Sequence, residues 1–269
     1  MKTNVFLFMT FFLPVTVHAQ PRPVVNREVK LEGAINFRDI GGYETTASRR
    51  IALGRIYRSA DISQLTDNDM AELKRRKIYT VVDFRSEEEA ANAPDKLLPG
   101  ADYLSLPSDS SANSTLHGQN HPSGTDAMMA FYSDIAHFKE QYRPFFRKAL
   151  TLPDTSALLF HCTAGKDRTG IAAALFLYAM DVPAEVIFSD YAVSDFFLKD
   201  RNEEIISEMV KTQGIDRETA RRLTEANPQY LQATFNAIMR KYGSMESFLR
   251  LELGINENVK LLLREKYLQ

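Results

Sequence analysis

Ser156-Ala157-Leu158-Leu159-Phe160-His161-Cys162-Thr163-Ala164-Gly165-Lys166-Asp167-Arg168-Thr169-Gly170-Ile171-Ala172-Ala173-Ala174-Leu175-Phe176 is the stretch that decides the fold. Residues 155–160 are a short apolar run between polar neighbours, the pattern of a buried strand. Residues 170–180 are apolar and alanine-rich, and a helix is expected there, beginning near Arg168. The residues between form a tight loop, which puts Cys162 at the carboxyl end of a strand and beneath a helix N-terminus. Backbone N–H groups in such loops lack internal partners and the helix dipole is positive there, so the loop suits an anion. Gly165 lets the backbone curl so that successive amides converge.

Outward from this loop, residues 78–84 (Ile78-Tyr79-Thr80-Val81-Val82-Asp83-Phe84) are β-branched and nearly continuously apolar, a second buried strand. Residues 66–76 predict a helix capped by Thr66 or Asp67, and residues 51–58 and 102–106 predict shorter strands. Residues 128–150 carry Phe131, Ile135 and Phe138 at helical spacing, with Pro144 expected to break or kink the helix. Helices are also expected over residues 184–211 and 216–268, where Leu231, Phe235, Ile238 and Tyr242 form a core-facing stripe. Strands alternating with helices predict an α/β fold with a parallel-rich central sheet flanked by helices.

The chain has 269 residues, 33 Lys+Arg against 35 Asp+Glu and a formal net charge of -2. That balance excludes a broad polybasic surface, and with it non-specific nucleic-acid binding as the main activity. Mean hydropathy is -0.28, which excludes a polytopic membrane protein. A single cysteine excludes an intrachain disulfide and a four-cysteine zinc site.

The N-terminus reads as a signal peptide over residues 1–19. Lys2 supplies the positive region. Val5 to Val17 is apolar apart from Thr10, Pro14 and Thr16, too short to span a bilayer, and cleavage is expected after Ala19. The alternative is an uncleaved membrane anchor. Residues 20–269 are expected to be one domain, with residues 216–269 as its C-terminal helices. The chain is expected to be exported, periplasmic or secreted, with no transmembrane anchor after cleavage. Residues 107–126 are polar, with a loop, disordered or lid-like, expected there.

The chemistry is concentrated in the loop. A helix N-terminus and nearby cations lower a cysteine pKa from about 8.5 to roughly 3.5–7.5, so Cys162 is expected to be a thiolate. Arg168 closes the loop with a planar fork that matches two oxygens of a phosphate. A thiolate facing a cradled tetrahedral dianion points to attack at phosphorus and a phospho-cysteine that water then hydrolyses. Thr163, Ala164, Gly165, Lys166, Asp167 and Arg168 are the expected phosphate-binding residues. Thr169 is expected to donate its hydroxyl to the sulfur, and His161 to support the loop by hydrogen bonding. No cofactor is called for. His117 and His121 have helical metal-site spacing, but Gly118 and Pro122 argue against a helix there. The run Glu87-Glu88-Glu89 is expected to open a helix and face water.

His161 to Gly170 resembles the phosphate-binding loop of the cysteine-dependent protein tyrosine phosphatase superfamily. Its Cys-x-x-Gly-Lys-x-Arg form is similar to that of phosphoinositide phosphatases, where the lysine meets further phosphates. With Asn36-Phe37-Arg38-Asp39, Gly41-Gly42, Tyr57-Arg58-Ser59 and Val82-Asp83-Phe84-Arg85-Ser86, the chain resembles the bacterial atypical tyrosine and lipid phosphatase family over nearly its whole length. The resemblance implies a phosphatase fold, and activity on phosphotyrosine, sometimes on phosphoserine/threonine and phosphoinositides, so that the partner is a phosphorylated protein or a phosphoinositide. Phosphoester cleavage needs a proton donor. Asp167 is the first candidate, Asp83 the second, at the end of a central strand, and Asp134 the third, on a segment upstream of the cysteine. The competing readings are a phosphate-binding module without turnover and a sulfur transferase on a rhodanese-like loop.

Overall fold

The structure is a computed structural model that describes residues 27–107 and 124–269. The expected signal peptide, His117, His121 and residues 108–123 of the expected loop lie outside the described residues. Five strands form one sheet: β1 (Arg38–Asp39), β2 (Ile56–Ser59), β3 (Ile78–Asp83), β4 (Asp102–Ser105) and β5 (Ala157–His161), in the order β1-β2-β5-β3-β4. β1 runs antiparallel to β2, and every other pairing is parallel. The sheet is therefore the parallel-rich α/β architecture expected, since parallel neighbours need crossovers that only intervening helices supply.

The helices between strands are α1 (Asp67–Arg75), α2 (Glu87–Asn92), α3 (Gly124–Ser133) and α4 (Phe138–Thr151), and α5 (Arg168–Ala179) follows the last strand. β5 is buried along its length and alternates between two cores. Leu159 packs on one face with Phe37, Tyr57, Leu73 and Val81. Leu158 and Phe160 pack on the other with Val82, Phe145 and the helices that follow. The register pairs His161 with Ser59 on one side and with Asp83 on the other. Three central strands thus end at one level, and their following loops meet there, where ligands bind in open parallel sheets.

Helix boundaries depart from the sequence pattern in three places. The segment expected as residues 128–150 is two helices, and its break is at residues 134–137 rather than at Pro144. Pro144 sits inside α4, where its ring removes the bond to the Glu140 carbonyl, and Glu140 faces solvent. Residues 184–211 divide into α6 (Ala184–Ala192) and α7 (Ser194–Gln213), turning at Val193 with no Gly or Pro. Residues 216–268 divide into α8 (Arg217–Thr224), α9 (Pro228–Tyr242), α10 (Met245–Leu251) and α11 (Glu257–Tyr267). Asp216, Asn227, Ser244 and Asn256 each cap a helix start through the side chain, and Gly243 ends α9 in the left-handed region. Leu231, Phe235 and Ile238 are buried, as their stripe predicts. No helix among the described residues is long and apolar enough to cross a membrane.

α6 is fastened to the sheet by charge. Asp190 Oδ2 lies 2.6 Å from Arg58 Nη1, and its Oδ1 lies 3.3 Å from Arg38 Nε and accepts from the Tyr43 hydroxyl at 2.9 Å. All three charged side chains are at most 2% exposed. Burial opposes the charge on Asp190, but Arg38 and Arg58 outweigh it and hold its pKa below the usual carboxylate range. Asp190→Asn should cost about 3–5 kcal/mol in urea unfolding at neutral pH, because it leaves two guanidiniums buried without their counter-ion. In the parent protein this contribution is complete above the unfolded carboxylate pKa of about 3.9. It falls away as the pH drops from there toward the lower folded value, so the variant's deficit should shrink in acid.

Candidate active site

β5 ends at His161 and α5 begins at Arg168, with Cys162 buried between them. The loop is gripped by its carbonyls. Thr163 O accepts from the Asp61 amide at 3.2 Å. Asn36 Nδ2 donates to Ala164 O and to Gly165 O, each at 3.0 Å, and Arg58 Nη2 donates to Gly165 O at 2.7 Å. With these carbonyls turned toward the protein body, the amides of Thr163 to Asp167 find no acceptor among the described residues. Backbone amides are almost always paired, so a run with no acceptor among the described residues is an arrangement that can take an anion. Thr169 Oγ1 is also buried without a partner. Gly165 has φ +65, and a Cβ there would meet Ser59 O at 2.2 Å, so both conformation and closeness demand glycine.

Arg168 is held by a residue expected to face solvent. Glu87 and Glu88 are exposed, but Glu89 turns inward. Glu89 Oε2 lies 2.6 Å from Arg168 Nη1, and its Oε1 accepts from Arg168 Nη2 at 2.8 Å and from Thr163 Oγ1 at 2.5 Å. Oε2 also accepts from the Ser86 amide, closing the capping box of α2. Burial opposes the Glu89 charge, but hydrogen bonding to Arg168 prevails and lowers its pKa to about 2. Arg168 is raised in turn: burial is outweighed by the bond to Glu89 and by the charges of Cys162, Glu89 and Asp167. Arg168 Nη1 also donates to Phe84 O, so its fork is fixed in place.

The other expected residues fall into distinct surroundings. Lys166 does not extend into the loop's concavity. Its Nζ donates to Leu223 O, Thr224 O and Glu225 O at 2.9 to 3.2 Å, capping the C-terminus of α8. Asp167 precedes α5 without capping it, and its Oδ1 accepts from the Tyr132 hydroxyl at 2.7 Å. Asp83 lies in a closed network: both oxygens accept from Arg85, and Oδ2 accepts from the Tyr103 hydroxyl. Burial opposes its charge, but attraction to His161 and the bonds from Arg85 prevail and lower its pKa. A carboxylate so paired is ionised at neutral pH and has no proton to give, which the strand pattern alone did not show. Asp134 is exposed and faces His137 at 3.7 Å, at the edge of a cleft that Arg168 also lines.

His161 Nε2 lies 2.9 Å from Asp95 Oδ2, and His161 O accepts from the Phe84 amide. Asp83, Asp95 and His161 are close enough together to hold a metal ion. Arg85 Nη2, however, lies 2.7 Å from Asp95 and 2.8 Å from Asp83, so a guanidinium already supplies the positive charge there. Asn36 and Arg58 stand in the motifs of the resemblance without a role, Glu89 is expected in solvent, and Asp95 and Tyr132 carry no sequence signal of their place here. Ser86-x-x-Glu89 is legible as a capping box, but nothing local points from it to Arg168.

A family model described as "Tyrosine phosphatase family" matches residues 29–269. A provisionally named tyrosine-protein phosphatase of Cupriavidus necator is 32% identical over 230 residues, covering 82% of each chain. The triple specificity protein phosphatase PtpB of Mycobacterium tuberculosis is 31% identical over 267 residues, covering 85% of this chain and 94% of that one. Among solved structures, the crystal structure of P. aeruginosa TpbA has a TM-score of 0.37 at 18% identity, over 69% of this chain and 98% of that chain.

Gly165→Ala should weaken binding of inorganic phosphate by about tenfold or more. The left-handed backbone alone costs an alanine about 1–2 kcal/mol, before the clash with Ser59 is counted. Calorimetric titration of phosphate into the two proteins measures the difference. Equal affinities would show that these amides do not hold the anion.

Proposed function

The chain belongs to the tyrosine phosphatase family, and we propose that this phosphatase hydrolyses phosphotyrosine through a phospho-cysteine on Cys162. The observation that carries this reading is the run of unpaired loop amides between Cys162 and a guanidinium fixed by Glu89. The phosphoryl oxygens take the amides of Thr163 to Asp167, beside the positive charge of Arg168, whose Nη1 and Nη2 are held by Glu89. The positive end of α5 and Arg168 favour negative charge on the sulfur. The sulfur attacks phosphorus, the S–P bond forms as the P–O bond to the tyrosine oxygen breaks, and Asp167 gives its proton to that oxygen. Water then attacks phosphorus, Asp167 takes back a proton, and the sulfur departs with the Thr169 hydroxyl donating to it. Asp167 is preferred to Asp83 because the Asp83 carboxylate is already engaged by Arg85.

The name of the mycobacterial relative, a triple specificity phosphatase, supports extending the substrate range to phosphoserine and phosphothreonine peptides. The phosphoinositide alternative needs a lysine able to meet a second phosphate. Lys166 is spent on three carbonyls of the α8 terminus, so the phosphotyrosine reading is preferred. Export to the periplasm or beyond rests on the N-terminal apolar run alone.

A panel of phosphotyrosine peptide, phosphoserine peptide and a phosphoinositide tests the reading, with Cys162→Ser as the blank. Phosphotyrosine should be turned over fastest, and the blank should be inactive on all three. Turnover by the blank, or faster release from the phosphoinositide, would sink the phosphotyrosine assignment. Glu89→Gln should lower kcat/KM by about 10–100-fold through a loosened Arg168, since small misplacements of a catalytic group carry penalties of that order. An unchanged kcat/KM would remove Glu89 from the site.

A further inference from the structure

Asp167 has two oxygens in different circumstances. Oδ1 accepts from the Tyr132 hydroxyl at 2.7 Å, with Lys166 Nζ at 3.4 Å, whereas Oδ2 has no hydrogen bond to a described residue. The Tyr132 oxygen lies 2.7 Å from the Tyr191 oxygen, and the two tyrosines are 0% and 1% exposed. Oδ1 accepts in the carboxylate and, as the carbonyl oxygen, in the acid protonated at Oδ2, so in both forms the Tyr132 hydrogen is committed to Asp167. The Tyr132 oxygen must then accept from Tyr191, which gives the chain one polarity: Tyr191 to Tyr132 to Asp167. Burial first, and the Asp167 charge second, push the Tyr132 pKa up, so that hydrogen stays on its oxygen.

The backbone and packing hold both tyrosines still. The Tyr132 carbonyl accepts from Thr234 Oγ1 at 2.6 Å. The two rings meet edge to face, with centroids 6.0 Å apart at 82°. A Cβ at position 170 would come within 2.9 Å of the Tyr191 ring, so Gly170 leaves the space in which that ring stacks against α5.

We infer that Tyr132, backed by Tyr191, is a positioning residue that pins Oδ1 of Asp167 and reserves Oδ2 for the proton given to the leaving oxygen. The inference rests on Asp167 being the proton donor. In the step, the Oδ2–H bond breaks as the new O–H bond forms on the leaving group, while S–P forms and P–O breaks. Tyr132 keeps its own proton throughout. Its hydrogen bond strengthens as negative charge grows on the carboxyl, so it helps most where the leaving oxygen most needs a proton.

The test uses 4-nitrophenyl phosphate, whose leaving group needs little protonation, and phenyl phosphate, whose leaving group needs much. Tyr132→Phe should lose about tenfold or more on phenyl phosphate and much less on 4-nitrophenyl phosphate, a part of the 10²–10⁴ that general acids supply. Asp167→Asn should show the same bias more strongly. The double variant should be no slower than Asp167→Asn, because Tyr132 acts through Asp167. Equal losses on both esters, or losses that multiply in the double variant, would make Tyr132 a packing residue and overturn the inference. If Asp167→Asn itself shows no bias, the donor assignment fails, and the Tyr132 inference falls with it. Should Tyr132→Phe not fold, Tyr191→Phe is read in the same way, with a smaller bias of the same sign expected. An unbiased Tyr191→Phe then overturns the inference.

Discussion

The carbonyls of Thr163, Ala164 and Gly165 are tied outward to Asp61, Asn36 and Arg58, and the rest of the site follows from that constraint. A peptide unit is planar, so fixing its C=O fixes the next N–H on the opposite side. The N–H groups of Ala164, Gly165 and Lys166 are oriented in this way; with those of Thr163 and Asp167 they have no acceptor among the described residues, and the Thr169 hydroxyl has no partner there either. A buried polar group left unsatisfied costs about 1–3 kcal/mol, so an anion seated on these amides would stabilise the loop. The surrounding fold imposes it because Asn36 and Arg58 lie in or beside a sheet that is rigid for other reasons.

Buried charge pairs hold both residues in place beside that sheet. Asp190 serves two guanidiniums, and one of them, Arg58, carries the grip on Gly165. The anchor of α6 and the anchor of the phosphate loop are therefore one side chain. On the other flank, Asp83 and Asp95 serve Arg85, and Asp95 also meets His161, the residue before Cys162. Glu89 caps α2 and holds Arg168 with the same carboxylate. The Gly165 carbonyl, His161 and Arg168 each lean on a buried or half-buried carboxylate network that also ties elements of the fold together.

Much of this was legible beforehand. The strand, loop and helix around Cys162 were readable because apolar periodicity and a single glycine are local signals. The C-terminal stripe was readable for the same reason, whereas its division into four helices needed closer attention to Asn227-Pro228 and Gly243-Ser244. The break at Val193 carried no local signal. A run of three glutamates at a helix start usually faces water, and only the third, Glu89, has a buried cation within reach.

Residue types alone carry the parallel-rich α/β scaffold and the place of the Cys162–Arg168 loop at the carboxyl edge of the sheet. These depend on residue types at short spacing, which the backbone converts directly into geometry. Only the tertiary structure decided the partners. It set Asn36 against Ala164 across 128 positions, Lys166 against the end of α8, and Tyr132 against Asp167. Charged and polar side chains take whichever counterpart the crossovers bring within about 3 Å, and no local pattern encodes that distance.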